Sequence, residues 1–261
     1  MKLAAFIAGV LLLVGTTAAI AQGYPLPNRS ALAQGPAVRK DLPYDPLRDF
    51  TLIGFLGVLP GSVAVHTDVP ARTVAELVAY ARANPDKLSY GTAGIGSAGH
   101  FQAEYFMSAT GARFFHVPFK SDNDAARELS SGVVQVALNT ALPVLTLAPT
   151  GKVRVLAITS PRRLARLADV PIVAELGMPG LEGLVPYSFL GFVGPAGMPG
   201  GITEQLGEAV NRVAGQPEVI AQLRDAYLLE TRPGTPAEFR KFIETEIAKW
   251  RDLGRTVKLT E

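Results

Sequence analysis

The sequence has 261 residues, a net charge of +2 from 25 basic and 23 acidic side chains, and no cysteine. Lack of thiols excludes disulfide staples, cysteine nucleophiles and thiolate metal sites, so a chain of this size must be held together by its apolar core. The mild charge, with no stretch where basic and aromatic residues interleave, excludes a nucleic-acid surface.

Lys2 is followed by the apolar run Leu3 to Val14 and then by small residues ending Ala19-Ile20-Ala21. This pattern predicts a secretory signal peptide over residues 1–21, because its apolar core is shorter than the roughly 20 residues that a membrane-spanning helix needs. The rest of the chain is long enough for one large domain or two small ones. Residues 22–41, rich in Gly, Pro and Ala without a period, read as a linker. Leu42-Pro43-Tyr44-Asp45-Pro46 is a proline-fixed turn, and Phe50 to Val58 and Val63 to His66 are apolar strands joined at Pro60-Gly61. Thr73-Val74-Ala75-Glu76 is a capping box that opens a helix to about Ala83.

Further strands stand at Lys87 to Tyr90, Phe114 to Val117, Val133 to Leu138 and Val153 to Thr159. They alternate with helical patterns from His100 to Gly111, Asp122 to Ser130 and Leu142 to Ala148, which predicts an α/β fold of parallel units covered on both faces. An irregular stretch from Ser160 to Gly183 holds a short helix at Ile172 to Leu176, and Tyr187 to Val193 is a further strand. Ile202 to Ala214 and Pro217 to Arg224 are amphipathic, and Thr235 caps a last helix reaching about Leu253. In that helix Phe239, Phe242, Ile243, Ile247 and Trp250 recur at helical spacing, as a core-facing stripe does.

Between the strand ending at Tyr90 and the helix starting near His100 stands Gly91-Thr92-Ala93-Gly94-Ile95-Gly96-Ser97-Ala98-Gly99. Without Cβ atoms, glycines let backbone N–H groups approach a ligand, and the helix start adds unpaired donors and a partial positive charge. Three readings fit: an anion site, a dinucleotide loop, because Gly94 to Gly99 reads G-x-G-x-x-G, and a plain strand-to-helix turn. The dinucleotide reading lacks its acid, since the next strand runs into Pro118-Phe119-Lys120 where the ribose-binding carboxylate should stand. The histidines, His66, His100 and His116, show no metal-ligand spacing, and Ser97 has Ile95 where a nucleophile elbow needs glycine. Neither a metal nor a catalytic residue is expected.

Several ordered blocks carry a resemblance. Leu42-Pro43-Tyr44-Asp45-Pro46 with Asp49-Phe50, Thr73-Val74-Ala75-Glu76-Leu77, Tyr90 to Ser97 and His116-Val117-Pro118-Phe119-Lys120 are succeeded by Gly151 to Ser160, Asp169 to Glu175 and Gly194 to Pro199. Together, over about Ala31 to Leu253, they resemble the tripartite tricarboxylate transporter substrate-binding proteins, the Bug family. The resemblance implies an α/β, two-domain architecture of the periplasmic-binding-protein type, with a discontinuous first domain of residues 42–89 and 186–261 and a second of residues 90–185. It implies a periplasmic, monomeric receptor without cofactor or enzymatic activity. Such a receptor captures a small carboxylate-containing ligand in the interdomain cleft and delivers it to the membrane permease subunits of the transporter.

By the same resemblance, Thr92, Ala93, Gly94, Gly96, Ser97 and His100 meet the ligand carboxylate, partly through water. Pro118, Phe119, Asn139 and Thr140 then line the opposite wall. Many relatives carry an acid at the position of Asn139 and another at that of Gln135; the neutral amides here favour a ligand without a positive group. Family members run from a Tyr-Pro start, as at Tyr24-Pro25, through a strand, a ligand loop, a helix and further strands before the Leu-Pro-Tyr-Asp-Pro block. This sequence passes from about Asn28 to Ala31 without them, so the first domain is expected to be incomplete, short of half the carboxylate clamp and with an exposed sheet edge. Two alternatives stand beside the receptor: a degenerate family member that binds no ligand and, in another class, a dinucleotide-dependent oxidoreductase.

Overall fold

Pro60 stands alone between two strands that join different sheets. The computed structural model describes residues 30–38, 42–184 and 188–256; the expected signal peptide, Tyr24-Pro25, Val185 and Tyr187 lie outside them. A π-helical turn at Ser30–Gln34 leads into α1 (Gly35–Val38), and β1 (Phe50–Leu59), β2 (Gly61–His66), α2 (Val74–Ala83), β3 (Ser89–Thr92) and α3 (Ala98–Thr110) come after it. Next are β4 (Phe115–Pro118), α4 (Asp122–Ser131), β5 (Val136–Thr140), α5 (Ala141–Leu147) and β6 (Val153–Thr159). The last described elements are β7 (Ser188–Pro195), α6 (Gly200–Ala214), α7 (Pro217–Tyr227), β8 (Glu230–Gly234) and α8 (Pro236–Thr256).

The larger sheet has the order β4-β3-β5-β2-β6. Its β3–β4 and β3–β5 pairs are parallel, as the strand–helix alternation predicts, but β2 runs antiparallel to both β5 and β6. Alternate residues of β2 and β5 serve two cores. Val63, Val65, Val136 and Leu138 pack with Leu77 of α2 and Phe106 of α3, whereas Ala64 and Ala137 face Leu129 of α4 and Val144 of α5. The helix boundaries reflect local chemistry. Thr73 Oγ1 accepts the Glu76 N–H at 3.1 Å to start α2, and Gly111, at φ 69°, turns left-handed to end α3.

The smaller sheet, β7-β1-β8, is wholly antiparallel. On one face, Phe55, Phe189, Phe239 and Phe242 cluster, with centroids 4.7 to 6.2 Å apart, so the predicted stripe of α8 is core. On the other face α6 comes so close that a Cβ on Gly207 would stand 2.8 Å from the Ile53 carbonyl oxygen.

Three expectations need correction, and one strand had no forerunner in them. Residues 61–89, assigned to the first domain, supply β2, α2 and β3 to the five-stranded sheet. Residues 30–38, assigned to the linker, are helical: Leu32 and Ala33 are buried in the Phe55–Trp250 cluster against α8. Short apolar stretches with Gly and Pro are ambiguous until something buries them. Strand β8, Glu-Thr-Arg-Pro-Gly, went unforeseen because charge and proline demote it, as they do an edge strand. The irregular stretch carries a 3-10 turn at Val173–Glu175, held by an isolated parallel bridge from Ile172 to Ile158.

The two sheets are joined through side chains as well as through the backbone at Pro60. Phe101 of α3 meets Trp250 of α8 edge to face at 5.6 Å, and Leu228 packs with Ala141 and Ile158.

Candidate functional site

Because β3, β4 and β5 are parallel neighbours, Thr92, Pro118 and Thr140 end at one edge of the sheet. Antiparallel β2 begins there, with Gly61 opposite both Thr140 and Thr159. The carboxyl ends of parallel strands are where open α/β sheets bind ligands. Three helices, α3, α4 and α5, start at the same edge and turn their unpaired N–H groups towards it.

Protein groups reach each of these starts, and at α5 the Ala141 N–H donates to Pro60 O at 3.0 Å. Asp122 at the start of α4 takes the Thr140 N–H at 3.4 Å and the Thr140 hydroxyl through Oδ2, while Ser121 caps Asp124 N–H at 3.1 Å. The start of α3 differs in the glycine loop that leads into it. Ser97 caps the His100 N–H at 3.3 Å, but the N–H groups of Ala93, Ile95, Ala98 and Gly99 have no acceptor among the described residues.

The loop itself is braced from inside. Gly94 N–H donates to Thr92 Oγ1 at 3.1 Å, Gly96 N–H to His100 Nδ1 at 3.0 Å and Ser97 N–H to Gly94 O at 3.1 Å. Gly94 and Gly96 have φ of 104° and 74°, a region that side-chain-bearing residues rarely adopt. Behind them, the rings of Tyr90, His116 and His100 form a stack, 4.8 Å and then 4.4 Å between centroids. His116 Nε2 lies 2.7 Å from Thr92 Oγ1, and Glu104 Oε1 accepts the Tyr90 hydroxyl at 2.8 Å, 3.7 Å from His100 Nε2.

Burial dominates the electrostatics of this stack. It pushes the His100 imidazole down to about 4, helped by the neighbouring His116, and lowers His116 as well. It raises the Glu104 carboxyl, against the hydrogen bond from Tyr90, and raises the Tyr90 hydroxyl, to which the Glu104 charge and hydrogen bond add. The accepted N–H at Nδ1 places the proton of neutral His100 on Nε2.

The remaining sequence-predicted residues divide. Thr140 is tied to Asp122. Pro118 is exposed, but the Phe119 side chain turns inward beside Gly91, Ala125 and Val134, leaving its N–H bonded to Thr92 O at 2.8 Å. Lys120 is exposed. Asn139 is fully buried, and neither amide atom has a partner; with the unpartnered Ser62 Oγ it lines a cavity of about 10 Å³, bounded also by Gln102, Thr159 and Leu184. That is about the space of one water molecule. Ser62, Tyr90, Glu104 and His116 were given no role from sequence. The only local signal was the four-residue spacing of His100 and Glu104 on α3.

Residues 7–259 match the family model described as the tripartite tricarboxylate transporter family receptor. The chain belongs to that family. Among solved structures, it is similar to the R. palustris protein Rpa4515 with adipate, at 30% identity and a TM-score of 0.78, covering 88% of this chain and 75% of that one. A second, described as a periplasmic transporter, is 32% identical with a TM-score of 0.80, covering 89% and 77%. In sequence it is 28% identical over 250 residues to protein BugT of Bordetella pertussis, 95% of this chain and 76% of that protein. The chain spans 62% of the relative from Pseudomonas sp. strain P51 and 59% of that from Cupriavidus necator. The mixed α/β fold with two sheets is that of the family's solute-binding proteins. No described helix is long and apolar enough to cross a membrane.

Proposed function

We propose that this receptor-family chain is a periplasmic, non-enzymatic solute-binding protein that captures a small carboxylate at the glycine loop and delivers it to the membrane permease of a tripartite tricarboxylate transporter. One observation carries the reading. At the sheet edge the start of α3 keeps unpartnered donors at Ala98 and Gly99, and the glycine loop leading into it adds those of Ala93 and Ile95 beside them. Hydrogen bonds to a charged group contribute about 1.5–3 kcal/mol each, so four give roughly 6–12 kcal/mol, from which association subtracts about 4 kcal/mol or more. That reaches the range of micromolar binding, about 8 kcal/mol, only at its upper end. Thr92, Gly94, Gly96 and Ser97 frame the carboxylate, and Asn139 and Thr140 stand on the far side of the same edge.

The relative bound to adipate supports a dicarboxylate, and the neutral, buried Asn139 favours a ligand without an ammonium group. A thermal-shift series with succinate, adipate, citrate and benzoate tests the reading, with NAD as the dinucleotide control. At a hundredfold excess over Kd, binding adds about 2.7 kcal/mol of stability, several degrees for a chain of this size. Silence of all four acids in a cooperatively melting sample overturns it in favour of a receptor that has lost its ligand. A shift with NAD alone favours the oxidoreductase.

A further inference from the structure

The glycine loop is anchored at both ends to one ring stack. At its front, Thr92 Oγ1 holds the Gly94 N–H and stands 2.7 Å from His116 Nε2; whichever atom carries the proton, that contact ties the strand end to the imidazole. At its back, His100 Nδ1 holds the Gly96 N–H at 3.0 Å. The two imidazoles are parallel within 5°, and His100 is 1% exposed. In a ring so placed Nδ1 is engaged by Gly96, and Nε2, 3.7 Å from Glu104 Oε1 and without a hydrogen-bond partner, is shut inside the fold away from the loop amides.

We infer that His100 and His116 are positioning residues: their stacked imidazoles clamp the two ends of the glycine loop, so that Gly94 and Gly96 are held in their left-handed conformations and the intervening N–H groups stay free for a carboxylate. The inference rests on the carboxylate reading for its purpose, but the clamp itself is read from loop amides alone. His100 thereby moves from ligand contact to brace. The titratable groups that face it are His116 from β4 and Glu104 from its own helix, with Tyr90 of β3 stacked on His116.

His100→Phe keeps a flat ring for the stack and removes the acceptor; His100→Asn restores an acceptor without the ring. In amide-resolved hydrogen exchange by NMR, His100→Phe is expected to speed exchange at Gly96 at least tenfold while Leu77 and Phe106 in the core stay unchanged, and His100→Asn to recover part of the protection. In the wild-type chain, needing no substitution, the Gly96 amide shift is expected to track the titration of the His100 ring. Titration with whichever of succinate, adipate or citrate binds the wild type should show at least tenfold weaker affinity for His100→Phe. Unchanged Gly96 exchange in His100→Phe, or a wild-type Gly96 shift indifferent to the His100 titration, overturns the clamp. Unchanged affinity despite a loosened Gly96 overturns its role in binding. If no acid binds the wild type, the carboxylate reading fails, and the amide measurements still decide the clamp.

Discussion

His100 and His116, sixteen residues apart on α3 and β4, lie face to face with their centroids 4.4 Å apart. Each ring leaves an edge nitrogen engaged by the glycine loop, Gly96 by one and Thr92 by the other. Two imidazolium rings at this distance repel, and a buried charge is costly, so the stack is an arrangement of neutral rings.

Acid should therefore loosen this protein in a predictable window. The folded His100 imidazole lies at about 4, below its ordinary 6.5. Between those values the unfolded chain binds the proton more readily, so stability is complete above about pH 6.5 and is lost as pH falls towards about 4. At about 1.4 kcal/mol per pKa unit the loss is about 3 kcal/mol. The lowered His116 adds in the same sense. Glu104, raised by burial, acts in the opposite sense, favouring the fold below its raised value. Urea unfolding midpoints at pH 7, 5.5 and 4.5 should fall in that order, and His100→Phe should flatten the trend. An equal slope in both chains rules out His100 as its source.

Two glycines one strand-end apart should fail in different ways. Gly96 has open space around an added Cβ but a φ of 74°, so Gly96→Ala meets backbone strain of about 1–2 kcal/mol in the loop itself. Gly91 has ordinary dihedrals but would drive a Cβ to 2.9 Å from Phe119 and 3.2 Å from Val134, an overpacking of about 1–3 kcal/mol. Both variants should melt lower. Only Gly96→Ala should weaken acid binding more than its melting temperature accounts for, as read by calorimetry at saturating protein fold.

Trp250→Ala should destabilise the chain by about 3–5 kcal/mol. The indole is 2% exposed, lies against Phe101 from the other sheet's helix, and donates to Glu246 at 3.2 Å. Because the contact joins α8 to α3, its loss should also split the unfolding transition, visible as non-coincident circular dichroism and fluorescence melts. Coincident melts would show that Pro60 and the Leu228 packing suffice to keep the units cooperative.

Much of this was legible residue by residue. The Thr73 and Thr235 caps, the α8 stripe and the apolar run of β6 each announce their element locally, and the loop from Thr92 to Ser97 is written as strand, glycines and cap. What stayed hidden depends on pairing at a distance. Nothing near Val63 says that β2 will lie antiparallel to β5 rather than beside β1, and nothing near His116 says that parallel pairing of β3 with β4 will slide it over His100. The resemblance puts Phe119 on the cleft wall, but the space left by Gly91 draws the ring into the core.

The sharpest test of a binding role at the far side of the edge is Asn139→Leu. Asn139 lies wholly inside the fold with both amide atoms unpartnered, next to Ser62 Oγ in the same condition. An unsatisfied buried polar group costs about 1–3 kcal/mol, whereas an apolar side chain of similar shape does not incur that cost. If Asn139 serves only the fold, its presence is a burden, and a chain that keeps it gains something else. The variant should therefore melt higher, by about 1–2 kcal/mol in urea unfolding, and bind acids more weakly, a stability–function exchange at one side chain. Ser62→Ala should show the same pair of signs on a smaller scale. Loss of stability in Asn139→Leu would instead assign the cavity to a structural water that the amide holds, and unchanged affinity would remove Asn139 from the site.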